Sequence, residues 1–87
     1  MRLKLAYQRE VLWIDYPEGT SISVAQVLQS VKKRRPGVYQ SWCDPEGRLR
    51  RSLAVFVNRE HIRYQDGLET ELNDGDEVYV IPMMAGG

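Results

Sequence analysis

One segment of this chain repeats its apolar residues with the period of a helix, whereas the other patterned segments repeat them with the period of a strand. Val24, Val27, Leu28 and Val31 follow the i, i+3, i+4, i+7 spacing, which places one apolar stripe along a helix. With 87 residues, the chain has room for a single hydrophobic core. One helix must then pack on one face of one sheet, so the sequence predicts a single domain of the α+β class.

The ends of this helix carry their own local signals. Ser23 can accept a hydrogen bond from the first turn, and Gln26 three residues later completes a capping box. Basic residues fill positions 32–35, where they complement the negative end of the helix dipole. Pro36-Gly37 then stops the helix.

Strand patterns lie on both sides of the helix. Alternation and strand-forming residues predict four strands and a shorter return strand, over residues 2–8, 10–16, 52–58, 77–81 and 61–64. The strongest turn signal between them is Asn73-Asp74-Gly75-Asp76. Residues 38–52 have only scattered apolar anchors, so we expect a long loop there, with at most a helical turn at its start.

The alternation gives the sheet two different faces. The face toward the helix is expected to carry Leu3, Leu5, Val55, Val57, Val78 and Val80. The other face carries Phe56, Tyr79 and Ile81, and one helix cannot cover it as well. This apolar face either meets a partner or is covered by Val38, Tyr39 or Trp42 folding back over it, and the pattern favours neither.

Composition argues against several functional classes. Twelve Lys and Arg balance twelve Asp and Glu, which is not the charge of a broadly basic nucleic-acid binder. A single cysteine and a single histidine exclude an internal disulfide and a metal site built from several Cys or His ligands. No apolar stretch approaches the roughly 20 residues of a membrane span, and no signal segment opens the chain. We therefore expect a cytoplasmic protein without nucleic-acid or membrane partners.

The charge is balanced in total but not along the chain. Residues 1–51 carry ten Lys or Arg against five Asp or Glu, and residues 52–87 carry two against seven, so the two parts bear +5 and −5. We favour a solvated surface that is polarised without consequence. The alternative is an acidic surface around the C-terminus that steers a basic partner into contact.

Side chains that could perform catalysis are scarce. Cys43 and His61 are the only candidates for a nucleophile and its base, and nothing in the sequence brings them together. The carboxylates of residues 66–77 do not have the spacing of a calcium-binding loop. We therefore assign no catalytic residue and no metal ligand.

The chain ends in two glycines that follow directly on a strand, a proline and a short apolar linker. Gly86 and Gly87 have no side chain, so they could thread a narrow slot in another protein. From Met83 to Gly87 the tail can extend roughly 15–18 Å, and it ends in a carboxylate that an enzyme could activate. Taken alone, these features are more typical of a frayed chain end, which is then the preferred interpretation.

The last third of the chain combines several features that are weak individually. They are Val57-Asn58, Ile62-Arg63, Gly67-Leu68, Thr70, Leu72, the DGDEV run over 74–78, Ile81-Pro82 and Ala85-Gly86-Gly87. Together, in FVNREHIRYQDGLETELNDGDEVYVIPMMAGG, they resemble the MoaD/ThiS family of ubiquitin-like sulfur carriers. The similarity extends to carriers of the CysO type, which supply sulfur for cysteine synthesis, and to MoaD-like small subunits of molybdopterin synthase.

This resemblance implies a fold and a chemistry. The fold is the ubiquitin-like β-grasp, a mixed four- to five-stranded sheet around one main helix, here over residues 1–82, with a flexible tail over 83–87. An activating enzyme would adenylate the carboxylate of Gly87, and a sulfur donor would replace AMP to leave a thiocarboxylate. ATP and magnesium belong to that enzyme, so this chain would be a carrier that binds no cofactor, or the small subunit of a molybdopterin-synthase-like complex.

The resemblance also implies site residues and partners. Gly87 would be the charged residue, Gly86 and Ala85 its slim approach, and the docking surface would comprise Phe56, Tyr79, Ile81, Pro82, Met83 and Met84. The partners would be a ubiquitin-activating-type enzyme and a sulfur-accepting synthase, either cysteine-synthase-like or the large subunit of molybdopterin synthase, with the carrier itself a monomer. Two alternatives stay open: a protein modifier conjugated through Gly87, and an interaction module with an idle tail.

Overall fold

The first and the last strand of the chain pair side by side in the middle of one sheet. In this computed structural model, which describes residues 1–83, the elements in chain order are β1 (Arg2–Tyr7), β2 (Glu10–Asp15), β3 (Ile22–Ser23), α1 (Val24–Arg34), α2 (Pro36–Trp42), β4 (Leu53–Val57), β5 (Glu60–His61), 3₁₀ turns at Ile62–Tyr64 and Gly67–Glu69, β6 (Glu71–Leu72) and β7 (Glu77–Pro82). The main sheet has the order β2-β1-β7-β4-β5. Only β1 and β7 pair in parallel, with Leu5 opposite Val78, and the other pairs are antiparallel. This mixed sheet with its helices confirms the predicted α+β class and the β-grasp arrangement.

The core lies between α1 and one face of this sheet. All four residues of the helical stripe are buried, as the i, i+3, i+4, i+7 spacing predicts. They belong to the same apolar cluster as the inward side chains of the sheet, which are Leu3, Leu5, Tyr7, Leu12, Ile14, Val55, Val57, Val78 and Val80. Each turn of the helix therefore removes apolar surface of two elements from water at once.

The start of α1 has the capping box that the sequence predicts. The Ser23 hydroxyl accepts the backbone N–H of Gln26 at 3.4 Å, and the Gln26 side chain accepts the backbone N–H of Ser23 at 2.8 Å. A second, two-stranded sheet of β3 and β6 holds the same end, with Ile22 opposite Leu72. The backbone N–H of Val24 also donates to the carbonyl of Thr70 at 3.0 Å, so the first turn is fixed to the segment before β7.

The expected loop over 38–52 is wrong in its first part, where α2 forms. Pro36 ends α1, as predicted, but it also opens α2, because a proline at the first helical position has no N–H to leave unpaired. Tyr39 and Trp42 are buried, and the Trp42 ring meets the edge of Tyr7 with centroids 5.1 Å apart. Tyr7 alternates with Leu3 and Leu5, so α2 covers the helix side of the sheet. The alternative that these residues fold back over the other face is therefore wrong.

The rest of that segment is a loop closed by a side chain. Asp44 accepts the backbone N–H groups of Glu46 and Arg48, both at 2.9 Å. The Arg48 N–H, together with that of Glu46, lowers the pKa of Asp44. Cys43 and Leu49 form an isolated bridge on either side, which confirms the turn expected at 44–47.

The predicted return strand over 61–64 is wrong beyond its first residue. Only Glu60 and His61 pair with β4, and Ile62–Tyr64 turns into a 3₁₀ helix. The His61 side chain causes this change, because its Nδ1 accepts the backbone N–H of Arg63 at 3.0 Å and caps the new turn.

Within residues 1–83, no helix has both the length and the apolarity that a membrane crossing requires.

The capping box makes the first prediction. Replacing Ser23 by Ala removes the acceptor of the first turn and is expected to lower the free energy of unfolding by about 1 kcal/mol. Ser21→Ala is the matched control, since Ser21 is exposed and precedes the helix. Urea unfolding followed by circular dichroism measures both. Equal midpoints for Ser23→Ala and Ser21→Ala would contradict the role given to the cap.

Candidate functional site

The end of β7 is the fixed base of the C-terminal segment. β7 is paired on both sides, with β1 and with β4, and the last pair joins Pro82 to Leu53. One residue further on, the backbone N–H of Met83 donates to the carbonyl of Ser52 at 2.6 Å. The chain is therefore anchored by the sheet up to Met83. Met84, Ala85, Gly86 and Gly87 lie outside the described residues, and their roles stay predictions.

The face of the sheet away from the helices has no element of residues 1–83 packed across it. Its side chains, from β2 to β5, are Val11, Trp13, Asp15, Arg2, Lys4, Ala6, Glu77, Tyr79, Ile81, Ala54, Phe56 and His61. We call this set the outer face. Phe56 stands opposite Tyr79 and both are half-buried, while Ile81 is 46% exposed.

Three of the predicted docking residues thus share one surface that leads to the end of β7. Phe56, Tyr79 and Ile81 are neighbours on the outer face. Pro82 has the opposite parity on its strand and is exposed at the end of the sheet, and Met83 is exposed beyond it. Their role in docking stays a prediction.

A hydrogen bond and an ion pair hold the polar side chains of the outer face near the start of β7. The Tyr79 hydroxyl donates to Glu77 Oε1 at 2.6 Å, and this bond raises the pKa of Tyr79. Lys4 Nζ lies 3.8 Å from Glu77 Oε2. The Tyr79 side chain is therefore held by a residue of its own strand. An apolar surface with a fixed ring can bind a partner with little loss of side-chain freedom.

Sequence reasoning missed the part of the outer face that β2 contributes. Val11 and Trp13 are about half exposed, because Leu12 and Ile14 alternate with them into the core. The run Val11-Leu12-Trp13-Ile14 is apolar throughout, so the alternation is hidden in the sequence. The signal that was available is the pair Leu3 and Leu5 in the neighbouring strand β1. These two buried residues are two positions apart, and they pair with Ile14 and Leu12, so they indicate which residues of β2 point into the core.

A second cluster missed from the sequence lies at the other edge of this face. The His61 ring packs edge-on against Phe56, with centroids 5.2 Å apart, and against Tyr64 at 6.4 Å. The Arg63 guanidinium lies over the Tyr64 ring at 5.4 Å. The turn into the 3₁₀ helix creates this contact, so it could not be read from strand periodicity.

Cys43 and His61 do not form a catalytic pair. Cys43 is 3% exposed and belongs to the core cluster beneath the helices, whereas His61 packs on the outer face. Burial raises the pKa of the Cys43 thiol, which leaves less of the nucleophilic thiolate. Among residues 1–83, no three side chains of His, Cys, Asp or Glu converge to hold a metal ion.

Comparisons of this chain with known proteins agree on one family. The model of the ThiS family matches residues 8–87. A putative sulfur carrier protein of Archaeoglobus fulgidus is 48% identical over 42 residues, and the match spans 48% of each chain, about half of that relative's length. The sulfur carrier protein CysO of Mycobacterium tuberculosis is 33% identical over 67 residues, covering 75% of this chain and 72% of its own. The small archaeal modifier protein 3 of Haloferax volcanii is 30% identical over 80 residues, covering 92% and 83%.

Solved structures agree on the fold. Small archaeal modifier protein 1 of Haloferax volcanii superposes with a TM-score of 0.82 over the full length of both chains, at 17% identity. At this identity the similarity concerns the fold alone. A chain from the BexX/CysO complex of Amycolatopsis orientalis superposes with a TM-score of 0.77 at 26% identity, covering 98% of this chain and 99% of its own.

Burial of Cys43 makes the second prediction. Iodoacetamide at pH 8 should alkylate the native protein much more slowly than the unfolded protein, because each unit of pKa elevation removes about tenfold of the thiolate and the sulfur is shielded from solvent. Intact mass after timed labelling measures both rates, with a protein unfolded in urea as the control. Similar rates in the two states would mean that Cys43 is an accessible thiol.

Proposed function

The chain belongs to the ThiS family, and we propose that it carries sulfur as a thiocarboxylate on the C-terminal carboxyl group of Gly87. The observation that carries this proposal is the anchoring of β7 between two strands up to Pro82, followed by a short tail that ends in Gly-Gly. A rigid base with a slim end is suited to delivering one terminal group into another protein's pocket. The proposal makes this chain a substrate and carrier with no catalytic residue of its own.

The proposed chemistry replaces one oxygen of the carboxylate by sulfur. A carboxylate is a poor acyl donor, because its oxygen leaves badly. A carboxylate oxygen of Gly87 therefore attacks the α-phosphorus of ATP and pyrophosphate leaves, which gives an acyl-adenylate. A donor at the oxidation level of hydrosulfide then attacks the carbonyl carbon through its sulfur, the bond to the phosphate oxygen breaks and AMP leaves. Loss of the S–H proton gives the thiocarboxylate. ATP and magnesium are bound by the activating enzyme, and this chain binds neither.

The tail and the outer face divide the work in this proposal. Residues 83–87 span roughly 15–18 Å when extended, enough to reach a buried site while the sheet stays outside. Phe56, Tyr79 and Ile81 provide the apolar contact, with Pro82, Met83 and Met84 at the entrance of the partner's channel. Gly86 and Ala85 supply the narrow approach to the reacting carbon.

Two kinds of partner follow from this chemistry. The first is an adenylating enzyme of the ubiquitin-activating type, and the second is a synthase that accepts the sulfur. The similar chain of Amycolatopsis orientalis comes from a BexX/CysO complex, which supports docking on a partner protein. The acceptor is a cysteine-synthase-like enzyme or a molybdopterin synthase large subunit, and the carrier meets both as a monomer in the cytoplasm.

A second candidate function uses the same activated residue. The similarity to small archaeal modifier protein 3 over 92% of this chain favours a protein modifier. In that case a lysine amine of a target attacks the activated Gly87 carbonyl, AMP leaves and an isopeptide bond forms. Ladders on a denaturing gel that disappear when Gly86 and Gly87 are deleted would identify this function.

Charging of Gly87 makes the third prediction. Incubation with the activating enzyme of the same organism, ATP and a sulfur donor should increase the intact mass by the replacement of one oxygen atom by sulfur. The thiocarboxylate should be localised to the C-terminal peptide by fragmentation. Deletion of Gly87 is the matched control and should abolish the shift, as should omission of ATP. An unchanged mass with the cognate enzyme would refute the proposal.

The outer face makes the fourth prediction. Ile81→Ser should weaken binding to the activating enzyme by about 1–2 kcal/mol, about 5–30-fold in Kd, since it removes an apolar contact near the tail. Val11→Ser is the matched control, because Val11 has a similar exposure of 49% against 46% for Ile81 and lies two strands away on the same face. Calorimetric titration measures both. An equal loss for the two variants would contradict a docking site centred on β7.

A further inference from the structure

We propose that Arg50 and Arg51, with Arg9 on the other side of β7, form a basic collar around the base of the tail. This basic collar docks on an acidic rim at the mouth of the partner's tail channel. The inference rests on the proposed function, since it concerns the partner that admits the tail. It adds a charged contact that is separate from the apolar outer face. It also predicts that the surface of the partner around its tail channel is negatively charged.

Sheet register brings the collar to the base of the tail. Met83 donates to the carbonyl of Ser52, so Arg51 is the residue directly before the last backbone contact of the described chain. On the other side of β7, β1 runs parallel and its last residue, Tyr7, stands opposite Val80. The hairpin turn that follows contains Arg9 and lies beside the end of β7. Residues distant in sequence therefore converge on one end of the sheet.

The collar cations are exposed, and within residues 1–83 only Arg50 has a resolved interaction with a carboxylate, since its charge helps to lower the pKa of Asp44. Arg48, nearby, is paired with Asp44 at 3.5 Å and also with Glu46, which removes it from the collar. Arg9, Arg50 and Arg51 form no ion pair in the described part of the chain.

One collar side chain is already held in place. The Arg50 guanidinium donates to the carbonyl of Gln40 through Nη2 at 3.1 Å and Nε at 3.3 Å. A carbonyl orients this group without cancelling its charge. Holding Arg50 in this way reduces the conformational entropy that docking would remove.

The opposite end of β7 carries carboxylates that are only partly balanced. Asp74 and Asp76 lie in the turn before β7, and Glu77 is its first residue, with Lys4 Nζ 3.8 Å from Glu77 Oε2 and Arg2 beside Asp74. At the tail end, Glu10 follows Arg9 directly. The charge separation along β7 is therefore partial, with the arginines that form no ion pair in residues 1–83 at the tail end. An acidic surface around the C-terminus, the alternative raised from the sequence, is not what surrounds the base of the tail.

This charge separation selects an acidic protein surface as the partner of the collar. An acidic rim attracts the collar and repels the turn before β7, so it orients the molecule with the tail first and raises the rate of productive encounters. The side chains from Met83 to Gly87 are uncharged and an acidic rim repels the terminal carboxylate, so the attraction that orients the tail must come from the collar. A nucleic-acid partner is disfavoured, because the chain has zero net charge.

Reversing one charge at each end of β4 tests the proposal. Arg51 stands two residues before β4 and Arg59 two residues after it, and both are exposed without an ion pair in residues 1–83. At about 0.05 M salt, Arg51→Glu should weaken binding of the full-length chain to the activating enzyme about tenfold, whereas Arg59→Glu should change it less than about twofold. Arg51→Lys should retain most of the wild-type affinity. At about 0.5 M salt the difference between the two charge reversals should shrink, because exposed charges are screened.

Binding measured by titration separates this proposal from the proposed function. Equal losses for Arg51→Glu and Arg59→Glu, or a loss for Arg51→Glu that salt does not reduce, would overturn the collar. A wild-type chain that binds with this salt dependence but never acquires sulfur would overturn the carrier function and support the collar. Since both charge reversals are at exposed positions outside the strands, circular dichroism should confirm that each variant is folded.

Discussion

The parallel pairing of β1 and β7 is the constraint on which the rest of the molecule depends. It places the C-terminal strand at the centre of the sheet, where β1 binds one edge and β4 the other. A terminal strand at the edge of a sheet frays easily, whereas β7 is held by two ladders of hydrogen bonds and by the buried side chains of Val78 and Val80. The same pairing brings the β1–β2 hairpin beside the end of β7. The site is thus assembled by the least local contact in the fold.

The placement of both helices on one face of the sheet leaves the other face available to a partner. A five-stranded sheet has two apolar faces to cover, and both α1 and α2 pack on the same one, α2 through the contact of Trp42 with Tyr7. The outer face keeps Phe56, Tyr79 and Ile81 without a cover from residues 1–83. Exposing apolar side chains forgoes stability that burial would have given. Such a surface is typical of a protein that gains its remaining contacts by binding.

Local patterns predicted the elements whose determinants are local, and failed where distant residues decide. The α1 stripe and its Ser23 capping box follow from short-range rules, and the alternation of β7 separated buried Val78 and Val80 from the more exposed residues between and after them. In β4 the alternation was less informative, because Ala54 is buried although it belongs to the outer face. By contrast, α2 is stabilised by Trp42 against Tyr7, 35 positions earlier in the chain. β3 and β6 have two residues each, too few for any period to be visible. The residues around the base of the tail could not be predicted without the strand order and the parallel register of the sheet. Arg9 and Arg51 are distant from β7 in sequence, and only the pairing of β1 and β4 with β7 brings them close to it.

The proposed recognition of partners depends on side chains of the sheet, whereas the proposed chemistry takes place at the terminal carboxyl group of a glycine. In the proposed chemistry, the adenylated carbonyl of Gly87 reacts with the nucleophile that a partner presents, so the same acyl-adenylate would yield a thiocarboxylate with a sulfur donor or an amide with lysine. Under this proposal, the outcome is decided by which protein docks on the outer face and on the charges around the end of β7. Relatives of this chain are described as a sulfur carrier and as a modifier. That division is understandable if evolution alters the docking surface while the chemistry of the terminal glycine stays the same.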